Sequence, residues 1–272
     1  MTSNTTPLSK HVVAITGAAD GIGWATAQLF AARGWQVALL DIDGRLANER
    51  ANTLGHHHIG LSCDVTDEGQ VLNAIAQVIA QLGRLDALVN NAGIGDQTTP
   101  TLLQTVEAFD RVLSVHLRGA FLMTQAALAH MQTQGRDAKG NRGSIVNIGS
   151  IASTGGIPGR NAYSAAKAGV LGMTRALATE WARKGIRVNA VAPGYVATAL
   201  VAELAEKGAI NAPAIMQRTP MGRMAEPSEI AESIFFLASP ASSYVTGATL
   251  AVDGGWSVLG APDIALGDIE HA

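Results

Sequence analysis

Short apolar runs alternate with helix-length stretches along most of the chain. Residues 12–16, 36–40, 60–63, 87–90, 144–148, 187–191 and 249–252 are nearly continuous in hydrophobicity, as strands buried on both faces are. Between them the patterning predicts helices near 22–33, 45–53, 68–81, 106–131, 162–183 and 228–237. This alternation predicts an α/β fold, a doubly wound parallel sheet of about seven strands with helices on both faces and right-handed crossovers. Two irregular regions stand out. Residues 132–142 are polar and read as a surface loop, and 193–227 form a long insertion with a helical piece near 199–207. Long insertions in compact domains are usually functional, so about 194–226 is read as a lid.

Composition narrows the class. The chain has 272 residues, 47% hydrophobic and only 4% aromatic, which suits one large domain packed on small side chains. No linker marks a second domain; 1–10 reads as a flexible tail, 11–256 as the domain and 257–272 as an extension. A net charge of −3 without long runs of one sign argues against nucleic acid or anionic membranes as partners. Cys63 is the only cysteine, so no internal disulfide forms, and His56-His57-His58 lacks acidic partners for a metal. No metal is expected. No apolar run reads as long enough to span a bilayer, and the expectation is a soluble, cytoplasmic protein.

Candidate chemistry begins after the first strand. Gly17, Gly21 and Gly23, in Thr16-Gly-Ala-Ala-Asp-Gly-Ile-Gly23, allow a tight turn and a close approach of pyrophosphate to a helix N-terminus. Asp41, ending the second strand, can accept hydrogen bonds from both adenosine ribose hydroxyls and would repel a 2′-phosphate. Asp20 adds negative charge nearby, Arg45 is the one counter-argument, and Asp43 is better placed as a helix cap. NAD is therefore expected over NADP. Tyr163 and Lys167 share a helix face one turn apart, and a fixed ammonium would lower the tyrosine from its usual pKa of about 10. Ser150, at the end of the fifth strand, would face the same crevice and hold a reacting oxygen against Tyr163.

With Asp64-Val65, Asn90-Asn-Ala-Gly93, Pro193-Gly194 and Asp253-Gly-Gly255 in order, the chain from 11 to 256 resembles the short-chain dehydrogenase/reductase superfamily. The resemblance implies a single Rossmann-type domain and a nicotinamide cofactor. Implied to contact it are the glycine loop with Asp20 and Ile22, Asp41, Ile42, Asp64, Val65, Asn91, Ala92, Gly93, Tyr163, Lys167, Pro193, Gly194, Val196 and Thr198. It also implies that Ser150, Tyr163 and Lys167 carry proton transfer during hydride exchange. His116 stands where this family more often has Asn holding a relay water. Its unperturbed pKa near about 6.5 would suit a relay, and a helix histidine without a chemical task is the alternative.

Gly95, Gln97, Ile151, Asn161, Tyr195 and Leu204 are expected to line the substrate pocket, mostly small and apolar. Trp181 and Trp256 read as core or interface. Helices apolar on more than one face need burial, and relatives bury them in tetramers, so a homotetramer is expected. The leading function is an NAD-dependent oxidoreductase of secondary alcohols, polyols or sugars. The alternatives are a 3-oxoacyl-thioester reductase and, remotely, a dinucleotide-binding protein without turnover.

Overall fold

A computed structural model describes residues 11–206, 208 and 210–261, without the side chains of Leu200 and Leu204. The N-terminal ten residues, 262–272 and the Leu204 side chain thus lie outside what is described. Strands β1 (Val12–Thr16), β2 (Gln36–Asp41), β3 (Ile59–Ser62), β4 (Ala87–Asn90), β5 (Gly143–Ile148), β6 (Ile186–Pro193) and β7 (Thr249–Val252) form one parallel sheet in the order β3-β2-β1-β4-β5-β6-β7. The order reverses between β1 and β4, and at such a switch point a crevice opens beyond the carboxyl ends of the strands.

Alternation along each strand builds two cores. Val12 and Ala14 join Leu88 and Ile145 on one face, while Val13 and Ile15 join Val89 and Val146 on the other. Helices α1 (Gly21–Ala32), α2 (Gly44–Leu54), α3 (Glu68–Leu82), α4 (Val106–Leu113), α5 (Ala120–Met131), α6 (Asn161–Trp181) and α9 (Pro227–Ala238) cover these faces. Within the insertion before β7 lie α7 (Ala199–Glu206) and α8 (Ala212–Arg218). Patterning missed α8, a seven-residue helix whose start is set by Asn211 accepting from the Ala214 N–H and by Pro213 in its first turn.

Two expectations change, and a third gains a role. The stretch 106–131 is not one regular helix, because a π-helical segment, Ser114–Gly119, separates α4 from α5. A 3.6-residue apolar period tolerates the widened turn without revealing it. By length and composition this stretch is also apolar enough to cross a membrane, correcting the expectation that none is; 56% of its apolar window is buried inside the fold, where its Ala, Leu and Met side chains pack. Finally, Arg187 lies in β6 as expected, and its side chain also serves as a buried cap. Its Nη1 donates to Leu237 O at 2.8 Å and Ser242 Oγ at 2.7 Å, and its Nη2 to Ser239 O at 3.1 Å, closing the C-terminal end of α9. Burial pulls the guanidinium pKa down to about 10.

Candidate active site

The β1–α1 turn is built from backbone. Gly17 and Gly21 have φ of 60° and 55°, which side-chain-bearing residues rarely adopt. A Cβ on Gly23 would collide with the Gly17 carbonyl, and one on Gly17 would come within 2.9 Å of Ala92 Cα. Asn91 fastens the turn to β4, its Nδ2 donating to Thr16 O and Gly17 O at 2.9 Å each. The Thr16 hydroxyl in turn accepts from the Asn91 and Ala92 N–H groups. Asp20 caps α1 through the Gly21 N–H at 2.7 Å. Thr198, beyond the Pro193-Gly194 turn, overhangs the loop, with its Cγ2 3.5 Å from where a Gly21 Cβ would stand. A Gly-lined cradle at a helix N-terminus, overhung by a polar side chain, fits a dinucleotide.

The adenosine side is similarly anchored. Asp41 accepts from Ala19 N at 3.0 Å and Asp43 N at 3.1 Å, which fixes its carboxylate beside the glycine loop. Arg45 pairs with Glu49 along its own helix at 2.6 Å and does not fold back, while Asp43 caps α2 as expected. Arg50 approaches instead, its Nε 3.3 Å from Ala19 O and its guanidinium over the Trp24 ring. Asp64 holds Thr66 through N–H and hydroxyl at 2.9 and 2.8 Å, and Val65 is buried against Gly119. Ile42 is exposed on the rim, whereas Val196 is buried and bridges to Ala225.

Ser150, Tyr163 and Lys167 converge at the carboxyl end of β5. Ser150 caps the short 3₁₀ turn Ile151–Ser153, its oxygen accepting from the Ala152 N–H at 3.1 Å. That leaves the Ser150 proton for the Tyr163 oxygen, whose phenolate form it favours. Lys167, 5% exposed, donates to Ile148 O at 2.7 Å with its Nζ 5.6 Å from the Tyr163 ring centre. The expected lowering of the tyrosine is not found. Burial pushes the Tyr163 pKa up, and the Ser150 hydrogen bond and Arg160 charge only offset this. Desolvation also drops Lys167 to about 8. The spacing rule located the pair correctly, but the sign of the shift follows from a loss of solvent that spacing does not record.

His116 lies in the π segment, where the widened turn swings it against Tyr163, ring centres 5.2 Å apart and edge to face. Its Nε2 is 2.9 Å from Ile94 O, while Nδ1 is buried with no partner among the described residues. Gly93 leaves room for the ring, since a Cβ there would sit 2.5 Å from His116 Cε1. Burial and the Lys167 charge depress the His116 pKa to about 3. The imidazole is thus neutral through the physiological range, and the expected titration near about 6.5 is corrected. Because its folded pKa lies below the unfolded value, His116 contributes stability above about pH 6.5 that is lost as pH falls toward 3. Chemical denaturation of wild type should therefore lose more stability between pH 6.5 and 4 than that of His116→Asn; parallel curves would refute this burial effect.

Of the expected substrate residues, Gly95 has open space where a Cβ would be and Ile151 is buried. The Gln97 amide pairs reciprocally with Thr105, and Asn161 donates to Thr101 and Gln104, so both polar ends brace the neighbouring 99–105 segment. Asp96 matters more than its sequence suggested: its Oδ2 accepts the Tyr163 N–H at 3.0 Å and fixes the first turn of α6. Tyr195 meets Trp256, with ring centres 5.2 Å apart. A buried ladder, Asn90 to Asn147 at 2.8 Å and Asn147 to Thr174 at 2.9 Å, stiffens the floor below. Only the tertiary arrangement reveals that ladder.

The family described as Enoyl-(Acyl carrier protein) reductase matches residues 17–257. The chain is 43% identical over 252 residues to an uncharacterized short-chain type dehydrogenase/reductase of Sinorhizobium fredii, covering 93% of this chain and 44% of that longer protein. It is 45% identical to cis-4-hydroxycyclohexanecarboxylate dehydrogenase of Sinomonas cyclohexanicum, covering 92% and 98% of the two chains. The solved 3-ketoacyl-(acyl-carrier-protein) reductase of Brucella melitensis in complex with NADH superposes with a TM-score of 0.84 at 36% identity, covering 91% and 98%.

Proposed function

The chain belongs to the short-chain dehydrogenase/reductase superfamily, oxidoreductases of CH–OH groups that use nicotinamide dinucleotides, and from that premise we propose an NAD-dependent dehydrogenase of secondary alcohols. The observation that carries this is the buried meeting of Ser150, Tyr163 and Lys167 beside the glycine cradle. Gly17, Gly21, Gly23, Asp41, Asp64, Val65, Asn91, Ala92, Gly93, Val196 and Thr198 would hold the dinucleotide. When bound, NAD exchanges a hydride with the carbinol carbon. Ser150 orients the substrate oxygen, Tyr163 takes or gives its proton, and the Lys167 ammonium holds positive charge beside the phenol. His116, neutral, braces the Tyr163 ring and offers Nδ1 as an acceptor in a proton path.

Because burial raises the Tyr163 pKa, the phenol carries its proton at neutral pH and stands ready for ketone reduction. Oxidation needs the phenolate, so its kcat/KM should climb from pH 7 toward alkaline values while that of reduction falls. A flat oxidation profile would overturn the assignment of Tyr163 as base. Asp41, fixed by two backbone N–H groups, supports NAD. Absorbance at 340 nm with NAD and NADP over polyols, sugars, hydroxy acids and simple alcohols tests the whole reading. No turnover with either cofactor would leave only a binding protein.

The NADH-bound Brucella reductase favours a second reading, reduction of 3-oxoacyl thioesters. Faster NADH oxidation with acetoacetyl-CoA than with any plain ketone would select it. A cytoplasmic homotetramer with a lid over 194–226 completes the proposal. Parallel sheets are normally covered on both faces, yet Thr249, Leu250 and Ala251 of β7 are exposed. A depression of about 630 Å³ between α4, α5 and α6 is lined by Leu113, Leu117, Phe121 and Met173. Sedimentation at micromolar concentration should give four copies; a monomer would refute it.

A further inference from the structure

On the insertion side of the cleft, Arg218 closes α8 and lays its guanidinium over the Trp256 ring, 4.7 Å from the centre. Trp256 meets Tyr195, and Tyr195 lies close enough to Tyr163 to act on its phenol electrostatically. A line of side chains therefore leads from the proton-transferring group to a cation. Stacking occupies the face of the guanidinium and leaves its edge free to donate. Nη1 on that edge is shut off from solvent and has no hydrogen-bond partner among the described residues, nor does any described carboxylate pair with Arg218.

A buried donor left unmet is costly, the more so when charged, so its persistence asks for an acceptor that arrives with a ligand. The end of α8 does not supply one. Ile215 O already accepts from the Thr219 N–H and hydroxyl, and Met216 O from the same N–H. The helix dipole favours a cation at this end without satisfying Nη1. Arg is also the side chain best matched to a carboxylate, through two parallel N–H groups.

Resting on the alcohol dehydrogenase reading, we propose that Arg218 binds a substrate carboxylate, and that the substrate is a hydroxy acid whose carboxylate stands several bonds from the carbinol carbon. Tyr195 and Trp256, with ring centres 5.2 Å apart, and the guanidinium 4.7 Å from Trp256 set Arg218 apart from the Tyr163 end, so the acid proposed is a 5-hydroxyalkanoate or a ring hydroxy acid rather than a 2-hydroxy acid.

The test compares NAD-linked oxidation of 5-hydroxyhexanoate with that of its neutral amide, in wild type, Arg218→Met and Arg218→Lys. Wild type should prefer the acid by about tenfold or more in kcat/KM, chiefly through KM, equivalent to about 1.4 kcal/mol. Arg218→Met should erase that preference while sparing the amide, and Arg218→Lys should restore part of it. Equal use of acid and amide by wild type, or equal losses for both in Arg218→Met, would overturn the proposal. Calorimetric titration of hexanoate and hexanamide onto the NADH-bound protein gives a readout without turnover. Hexanoate binding lost only in Arg218→Met supports the site even if neither alcohol reacts, and absence of preferential hexanoate binding sinks it. Failure of the dehydrogenase reading is separate: no nicotinamide-linked turnover of any alcohol or ketone.

Discussion

Tyr163→Phe is expected to lower kcat for alcohol oxidation by about a thousandfold or more while leaving NADH affinity within about threefold. The ring is kept, so its edge-to-face packing on His116 and the Asp96 bond to its backbone N–H persist. Only the hydroxyl that meets Ser150 is removed. Fluorescence titration of NADH and steady-state rates at several pH values separate the two effects. A drop of less than about tenfold would assign proton transfer to another group, and loss of NADH binding would show that the phenol holds the cofactor rather than the proton.

Arg187→Met is expected to destabilise the fold by about 1–3 kcal/mol, the range for leaving buried hydrogen-bonding groups without their partner. Replacing a buried ion by a hydrophobe is often harmless when both partners go, but here the acceptors stay. Ala238 O would lose its Arg187 donor, while Leu237 O keeps the Ser144 and Ser242 hydroxyls and Ser239 O keeps the Ser242 N–H and hydroxyl. The lowered arginine pKa shows that burial already strains the charge, so the carbonyls must supply the compensation. Calorimetric melting would show it as a Tm lower by roughly 2–4 °C per kcal/mol, with Arg187→Lys intermediate. An unchanged Tm would mean that α9 is held by its apolar face alone.

Much of the sheet is legible because a strand buried on both faces must be nearly all apolar, and each observed strand lies within two residues of its apolar run. The glycine turn is legible for a different reason: Gly17 and Gly21 occupy backbone that few other residues accept. Burial-dependent quantities are not legible. Tyr163 and Lys167 announce their proximity through spacing, yet the direction of the Tyr163 shift depends on how much water the finished fold removes. Arg187 looks like any strand residue until α9 packs over it. The Arg218–Trp256 stack joins residues far apart in sequence, and α8 hides behind a proline that reads as a break.

The π segment Ser114–Gly119 gives the active site an unusual point of fragility. Deleting one residue within it lets the stretch relax toward ordinary α-helix, a change the backbone hydrogen bonds accommodate readily. Such a deletion would turn His116 away from Tyr163 and Gly93, although nearly every core side chain could keep its place. This stretch is thus where a lineage could lose catalysis in a single genetic step while still producing a well-folded, dinucleotide-binding protein, and where a binding-only descendant would bear the scar.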